Sequence, residues 1–382
     1  MLSKEFLDTV SYPITQLYMA CENRLLLKIV TRLKTATDTF SVDAWNIKKL
    51  SDLGGMSREA YKEIAKTSVQ AKKLLGKVLE EVAEKSLSMD GVDTTETQGV
   101  LQTIKAMQAQ AQNHLNIVNT TMLAGVQDRY GEIVAVLDNE RNIILNNATI
   151  DLVTGQETFN SAVSRAVREL AEEGINAYVD SAGREWTPEA YVSMDLRTTS
   201  AQIARGVVQA QGKDYGLDVI LVSSHSGARP LCEPYQGRCY SMSGRYGTIT
   251  DANGRKYDFE PISVTGYDPA SGFNREPAGL FGVNCGHTFR YIEEGAFFNR
   301  ENPIVTEKEK RENERVYALS QEQRAIERDI RQYRRETELL KNAGLTEFAK
   351  ISEGNLNEAR REYKTFCEDN DRTPRWDRTQ IY

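Results

Sequence analysis

Histidine and cysteine are scarce in this chain, and most of them fall together. Of three histidines and five cysteines in 382 residues, His225, Cys232, Cys239, Cys285 and His287 lie in one stretch. It reads SSHSGARPLCEPYQGRCYSMSG at its start and GVNCGHTFRYIEEG at its end. Thiolate and imidazole are preferred donors to tetrahedral zinc, so these five residues form a candidate structural zinc set. The spacing is not that of a zinc knuckle. No C-x-x-C occurs, Cys232 and Cys239 stand seven apart, and Cys285-Gly286-His287 places two donors two residues apart, which suits a strand or an irregular loop. Buried thiols and backbone-bonded histidines in a glycine-rich fold account for the same residues without an ion. No other cofactor is expected.

A second reading takes His225, Arg229, Gln236, Arg238 and His287 as a polar cluster. Two histidines and two arginines can serve as the acid, base and phosphate clamps of a metal-independent nuclease. The same groups can bind a phosphate without cleaving it, or simply pin a loop. No P-loop, G-x-S-x-G or H-E-x-x-H motif occurs, so the common NTPase and hydrolase chemistries find no support. The third histidine, His114, falls on an apolar stripe with Met107, Ala111 and Val118. No cysteine or acidic partner repeats at helical spacing, so it is expected as a packed histidine at a helix–helix contact.

The elements that must position these residues change character along the chain. Residues 225–295 hold eleven glycines and five of the nine prolines, whereas the flanks are helical in pattern. In the N-terminal region, 1–155, Pro13 fits the first turn of a helix through Leu17, Leu25, Leu26, Ile29, Val30 and Leu33. Asp52-Leu53-Gly54-Gly55 is expected to break the pattern, with Ser57 capping a helix that carries Tyr61, Ile64, Leu75, Val78 and Val82. After a polar stretch, Ser86 to Gln98, a third helix spans Val100 to Met122 and a fourth runs from about Asp128 to Asn147.

Gly155 separates the next block, a compact mixed module over 156–300. A helix from about Thr158 to Glu172 stops at Gly174, and Asp180 to Gly183 has the composition of a turn. Thr187 and Pro188 open a helix, and a further one runs from about Thr198 to Tyr215 with Gly216 as its stop. Leu217 to Ser223 then reads as a buried strand leading straight into His225. The C-terminal arm, 301–382, returns to helix. Thr306 caps a continuous helix from about Glu307 to Asn342, ended by Gly344, whose stripe of Val316, Ile326, Ile330 and Tyr333 is expected to pack on another helix of this chain or of a partner. Arg324, Arg328, Arg331 and Arg335 share one face that can track a phosphate backbone. With 17 basic against 18 acidic residues from Glu301 to Tyr382, a solvated or ion-paired face is the plainer expectation.

Composition narrows the function. A net charge of −7 argues against coating nucleic acid through global electrostatics. The apolar runs fall far short of the ~20 residues a spanning helix needs, so no membrane is expected. MLSKEFLDTVSYP lacks the apolar core of a secretory signal, and an odd cysteine count does not suggest a disulfide framework. Synthesis in a cytoplasm is expected.

The order SSHSGARP (223–230), YQGRCYS (235–241) and NCGHTFR (284–290) resembles the signature of the phage minor capsid protein 2 family, akin to the phage Mu-type head morphogenesis proteins. AGREWTPEAYVSMDLRT (182–198), with its Arg-Thr pair, YALSQEQRAIERDIRQYRR (317–335) and SYPITQLYMACENRLLLKIVTRL (11–33) are similar to further family segments. The chain departs from the pattern at Cys232, where the family often has serine or histidine, and at Tyr235, where tryptophan commonly precedes Gln-Gly. His225, Arg229, Gln236, Gly237, Asn284, Cys285 and His287 match. The resemblance implies a low-copy virion component, inside the capsid or at the portal vertex, that aids head assembly and DNA packaging or ejection; it implies no established enzymatic activity, and an enzyme is not expected. Its implied partners are the portal protein and other head proteins, with packaged double-stranded DNA a further candidate. The alternative is a toxin-type nuclease built on the His/Arg cluster. The fold expected is α+β and mostly helical: a helical N-terminal region, a compact mixed module and a helical C-terminal arm.

Overall fold

Long proline-free stretches with apolar residues every three or four positions make most of this chain helical. The computed structural model describes residues 2–37, 42–88, 98–146, 152–180, 183–297, 303–304 and 306–382. Five helices come first: α1 (Lys4–Val10), α2 (Tyr12–Thr37), α3 (Val42–Ser88), α4 (Gln98–Asn146) and α5 (Leu152–Glu173). A small hairpin, β1 (Tyr178–Val179) and β2 (Glu185–Trp186), leads into α6 (Pro188–Asp214). The mixed region follows with β3 (Val219–Val222), β4 (Cys239–Ser241), β5 (Gly247–Thr250), β6 (Lys256–Pro261), β7 (Tyr267–Asp268), β8 (Phe273–Asn274) and β9 (Phe289–Tyr291). Helices α7 (Glu307–Asn342) and α8 (Thr346–Asp369) complete the chain. The architecture is the expected one: mostly helical, with a mixed α/β region flanked by helices.

The expected stops at Gly174, Gly216 and Gly344 all hold, each with a left-handed φ between 67° and 77° that a glycine adopts without strain. Several expected breaks are absent. Helix α3 runs through Gly54-Gly55, and Ser57 is no cap; its Oγ accepts a bond from Gln127 Nε2 of α4 at 2.9 Å. The third and fourth helices are one helix, α4, the two pieces expected on either side of Thr198 are one helix, α6, and Gly155 lies inside α5. A glycine inside a helix costs about 1 kcal/mol relative to alanine, and packing along an uninterrupted helix outweighs that. Gly125 has its own reason: a Cβ there would lie 2.2 Å from the Asn176 carbonyl oxygen. Most of the polar Ser86–Gln98 stretch, and Ser181-Ala182 of the Asp180–Gly183 turn, lie outside the described residues.

The chain divides into two compact units. The first comprises Met1–Ile14, Lys72–His114 and Ser193–Gln321. Its centre is a five-stranded sheet in the order β5-β6-β4-β3-β9, antiparallel except for the β4–β6 pair. All four residues of β3 are buried, because both sheet faces are covered. One face carries Ile220, Val222, Tyr240 and Phe289; the other carries Val219, Leu221, Cys239 and Ile249.

The second unit comprises Thr15–Ala71, Leu115–Val192 and Glu322–Tyr382. It is a helical packing whose buried residues include Leu25, Leu26 and Ile29 of α2, Val118, Met122 and Val126 of α4, and Val163 and Val167 of α5. In α7 the lower part of the apolar stripe finds its partner in α8: Ile326, Ile330 and Tyr333 pack with Leu356, Ala359, Tyr363, Phe366 and Cys367. Helix α7 is continuous and opens on a reciprocal cap, in which Thr306 Oγ1 accepts from the Glu309 N–H and the Glu309 carboxylate accepts from the Thr306 N–H. Two arginines of its basic face are committed within the unit, while Arg328 is exposed. Arg335 is buried against Glu22, and Arg331 bonds the Arg378 carbonyl and pairs with Glu189 at 3.4 Å.

Candidate functional site

Two irregular segments of the first unit meet beside the sheet: residues 223–237, after β3, and 276–288, before β9. Each is held from outside. In the first, Gly227 takes φ 70°, and the Asn313 side chain of α7 clamps Ala228, accepting from its N–H at 2.8 Å and donating to its carbonyl at 2.9 Å. In the second, Asn284 takes φ 57°. Arg197 Nη1 of α6 donates to its side-chain oxygen at 3.1 Å, and Thr198 Oγ1 accepts from its N–H at 3.0 Å. The buried Arg205 guanidinium, also from α6, donates to the carbonyls of Phe281 at 2.9 Å and His287 at 3.3 Å.

These anchors bring Cys232, Cys285 and His287 together. All three are buried, and their donor atoms lie within 4.8 Å of one another. Cys232 Sγ and Cys285 Sγ are 3.9 Å apart, and Cys285 Sγ is 3.4 Å from His287 Nδ1. The Phe281 N–H donates to Cys285 Sγ at 3.1 Å. Gln236, 1% exposed, fixes the state of the imidazole. Its Oε1 accepts from the His225 backbone N–H at 3.0 Å and lies 3.1 Å from His287 Nε2. A carbonyl oxygen only accepts, so His287 Nε2 carries the proton and donates, and in the neutral ring Nδ1 turns a lone pair towards Cys285. The Gln236 Nε2 group has no hydrogen-bond partner among the described residues.

His225 joins the group by stacking: its ring lies on that of His287 with centroids 4.3 Å apart and planes 24° from parallel. Strand β3 therefore delivers His225 to His287, as its position before the SSHSGARP motif suggests. The structure does not bring Cys239 to them. Side chains alternate along a strand, so Tyr240 faces the side of the sheet that holds Cys232 and Cys285, while Cys239 packs with Leu221 and Ile249 on the other. Of the arginines, Arg229 Nη2 reaches Cys232 Sγ at 3.9 Å, and Arg238 is exposed at the edge of β4.

The two thiols are driven apart in acidity. Burial works against the Cys285 thiolate. Hydrogen bonds from Cys232 and, once its Nδ1 is also protonated, from His287, with the charges of that imidazolium and of Arg205, outweigh it and hold this thiol well below the usual cysteine range. Cys232, hydrogen-bonded to that sulfur and itself buried, is pushed up. Of the two thiols, Cys285 is the one that more readily carries the negative charge.

Two residues of this site escaped the sequence reading. Arg205 repeats at 4-3-4 spacing with Ala201, Val208 and Gly212, all buried, and an arginine on such a stripe is a signal of a buried polar anchor. Asn313 carries no comparable signal in a charged helix. His114 is half-buried at a contact between α4 and α6, its Nδ1 2.5 Å from Asp195 Oδ1. It is the helix-contact histidine expected, with an acidic partner that no spacing within α4 could disclose. A cleft of about 620 Å³ between α4, α6 and the β7–β8 hairpin is lined by Gln102, Gln202, Arg205, Gln209 and Tyr267 among others, with no convergence of metal-ligating groups.

The chain is 23% identical over 354 residues to a protein of Lactococcus phage LL-H described as a structural protein, covering 88% of this chain and 89% of that relative. No solved structure matches it. No described helix is long and apolar enough to cross a membrane. Residues 2–368 match the phage minor capsid protein 2 family, so the motifs around His225, Gln236 and His287 stand in a match that runs nearly end to end, and the chain belongs to that family.

Proposed function

We propose that this protein is a minor structural component of the virion that acts in head assembly, inside the capsid or at the portal vertex, with the portal and other head proteins as its partners. The family match over residues 2–368 carries the reading, and the length-matched structural protein of phage LL-H supports it. A role in DNA packaging or ejection, and the kinship to Mu-type head proteins, belong to the same reading. We take the 225–288 cluster as architecture rather than catalysis. Burial supports this: His287 is 1% exposed, and its two ring nitrogens face Gln236 and Cys285 rather than a substrate.

The test is made in phage-infected cells. Pull-down of the tagged protein is expected to recover portal protein and procapsids, and phage lacking the gene are expected to give heads that are fewer, misassembled or unfilled. Normal, infectious heads without the protein would overturn the assembly role. Turnover of RNA or DNA by the purified protein, lost in His287→Ala and His225→Ala, would establish the nuclease reading instead.

A further inference from the structure

The geometry points to a zinc site formed by Cys232 Sγ, Cys285 Sγ and His287 Nδ1, which we propose clips the segment after β3 to the segment before β9. The inference stands apart from the assembly role, since it rests only on donor geometry inside one unit. Zinc binds thiolate sulfur at about 2.3 Å and imidazole nitrogen at about 2.0–2.1 Å, so tetrahedral angles require about 3.8 Å between two sulfurs and about 3.5 Å between sulfur and nitrogen. The corresponding separations here are 3.9 Å and 3.4 Å. The third pair lies within 4.8 Å, so a small closing movement completes the set.

Separation alone does not make a site, because packed thiols also touch at such distances. The orientation of the surrounding groups adds the second observation. The Gln236 Oε1 bond fixes the Nε2-protonated tautomer of His287, leaving Nδ1 as the donor atom; supporting hydrogen bonds of this kind orient metal-binding histidines. The Phe281 N–H points at Cys285 Sγ at 3.1 Å, a short contact for sulfur and one suited to a charged thiolate. The donor set of two sulfurs and one imidazole selects zinc over magnesium or calcium, which take oxygen. Three protein ligands with water in the fourth position is the usual pattern of catalytic zinc; here the burial of all three donors favours a structural ion that keeps water as its fourth ligand. Binding of one Zn²⁺ releases the proton of Cys232 and any still held at Cys285 Sγ or His287 Nδ1, and forms two Zn–S bonds and one Zn–N bond.

The segments joined have a physical need for a clip. Outside the short helical turn at Glu233–Tyr235, both are irregular between β3 and β4 and between β8 and β9, and they contribute few ladder hydrogen bonds. The ion would tie residues 53 apart in sequence.

The test uses the full-length protein purified under reducing conditions from cells grown with added zinc. Elemental analysis is expected to find about one zinc per chain. Cys285→Ser, Cys232→Ser and His287→Ala should each lose it, Cys239→Ser should keep it, and Cys232→His, which supplies another zinc donor, should keep it too. Chelation with phenanthroline should lower the melting temperature by at least about 5 °C. Should the ligand variants fail to fold, the wild type decides the matter: replacement by Co²⁺ should give an intense thiolate-to-cobalt charge-transfer band. Absence of both zinc and that band after reduction and dialysis against Zn²⁺ overturns the proposal. So does full zinc retention in a folded Cys285→Ser variant.

Discussion

Two of the places where the described residues bury polar chemistry are built on opposite terms. In the second unit Glu22 is fully buried, and each of its carboxylate oxygens has a donor: the Ile175 N–H on Oε1 at 3.0 Å and Arg335 Nη2 on Oε2 at 3.2 Å. Arg335 in turn donates from Nε to Asn23 Oδ1 at 3.1 Å and from Nη1 to the Ala171 carbonyl at 3.4 Å. Donors meet acceptors, and the centre is complete within the chain. In the first unit the donor atoms of Cys232, Cys285 and His287 lie within 4.8 Å of one another, and once the protons between them are lost all three can turn lone pairs to one point. Convergent acceptors are what a metal ion requires, whereas a closed donor–acceptor set requires nothing further. The comparison teaches that burial of polar groups is not by itself the mark of a site. The direction of the lone pairs is.

The largest expected effect breaks the closed centre. Glu22→Ala leaves the Arg335 charge buried without its partner and is expected to cost about 3–5 kcal/mol of stability, read by chemical denaturation. The double variant Glu22→Met/Arg335→Met removes both charges and should recover most of that loss. If the double variant is as unstable as the single, unpaired charge is not the cause and the contrast between the two centres weakens.

Next comes the support of the open centre. Asn313→Ala strips the side-chain bonds from both backbone groups of Ala228 and should cost about 2 kcal/mol. Hydrogen exchange should rise over residues 225–237 and leave the helices around Glu22 unchanged; faster exchange throughout would show that the clamp is not local. Gly227→Ala should cost about 1–2 kcal/mol, because φ 70° disfavours a Cβ and that Cβ would sit 3.0 Å from Val316 Cγ1. Adding Val316→Ala should relieve only the contact part of the loss. Full recovery in that pair would mean that backbone strain contributes nothing.

The smallest effect concerns pH. The hydrogen bond to Asp195 raises the His114 pKa, partly opposed by burial. A histidine with a raised folded pKa adds stability that is fully present below its unfolded value of about 6.5 and is lost as pH rises through the folded value. The melting temperature should therefore fall modestly as pH rises from that region, and His114→Gln should flatten the trend. A variant with the same pH profile as the wild type would remove His114 from the account.

Much of the layout was legible in local chemistry. Gly174, Gly216 and Gly344 mark helix ends because the left-handed conformation is cheap for glycine, and Thr306 announced its helix by a cap that needs only four consecutive residues. Internal glycines misled at Gly54-Gly55 and Gly155, because their local cost is small against packing that no window of sequence displays. The arginine stripe of α7 was legible as a stripe, yet whether it meets phosphate or carboxylate depends on Glu22 and Glu189, which lie far away in the chain.

The same division runs through the candidate site. By itself the sequence determined that the scarce donors gather in one glycine-rich region, that a buried strand carries the chain into His225, and that the motifs resemble a phage minor capsid family. These follow from residue type, short-range spacing and order. Only the tertiary structure decided that Cys232 joins Cys285 and His287 while Cys239 does not, and that Gln236 sets the imidazole. The pairing of β3 with both β4 and β9 brings the distant segments to one sheet, and the alternation of side chains along a strand then assigns each cysteine to a face. Both are long-range facts, and neither is encoded in the spacing of any one motif.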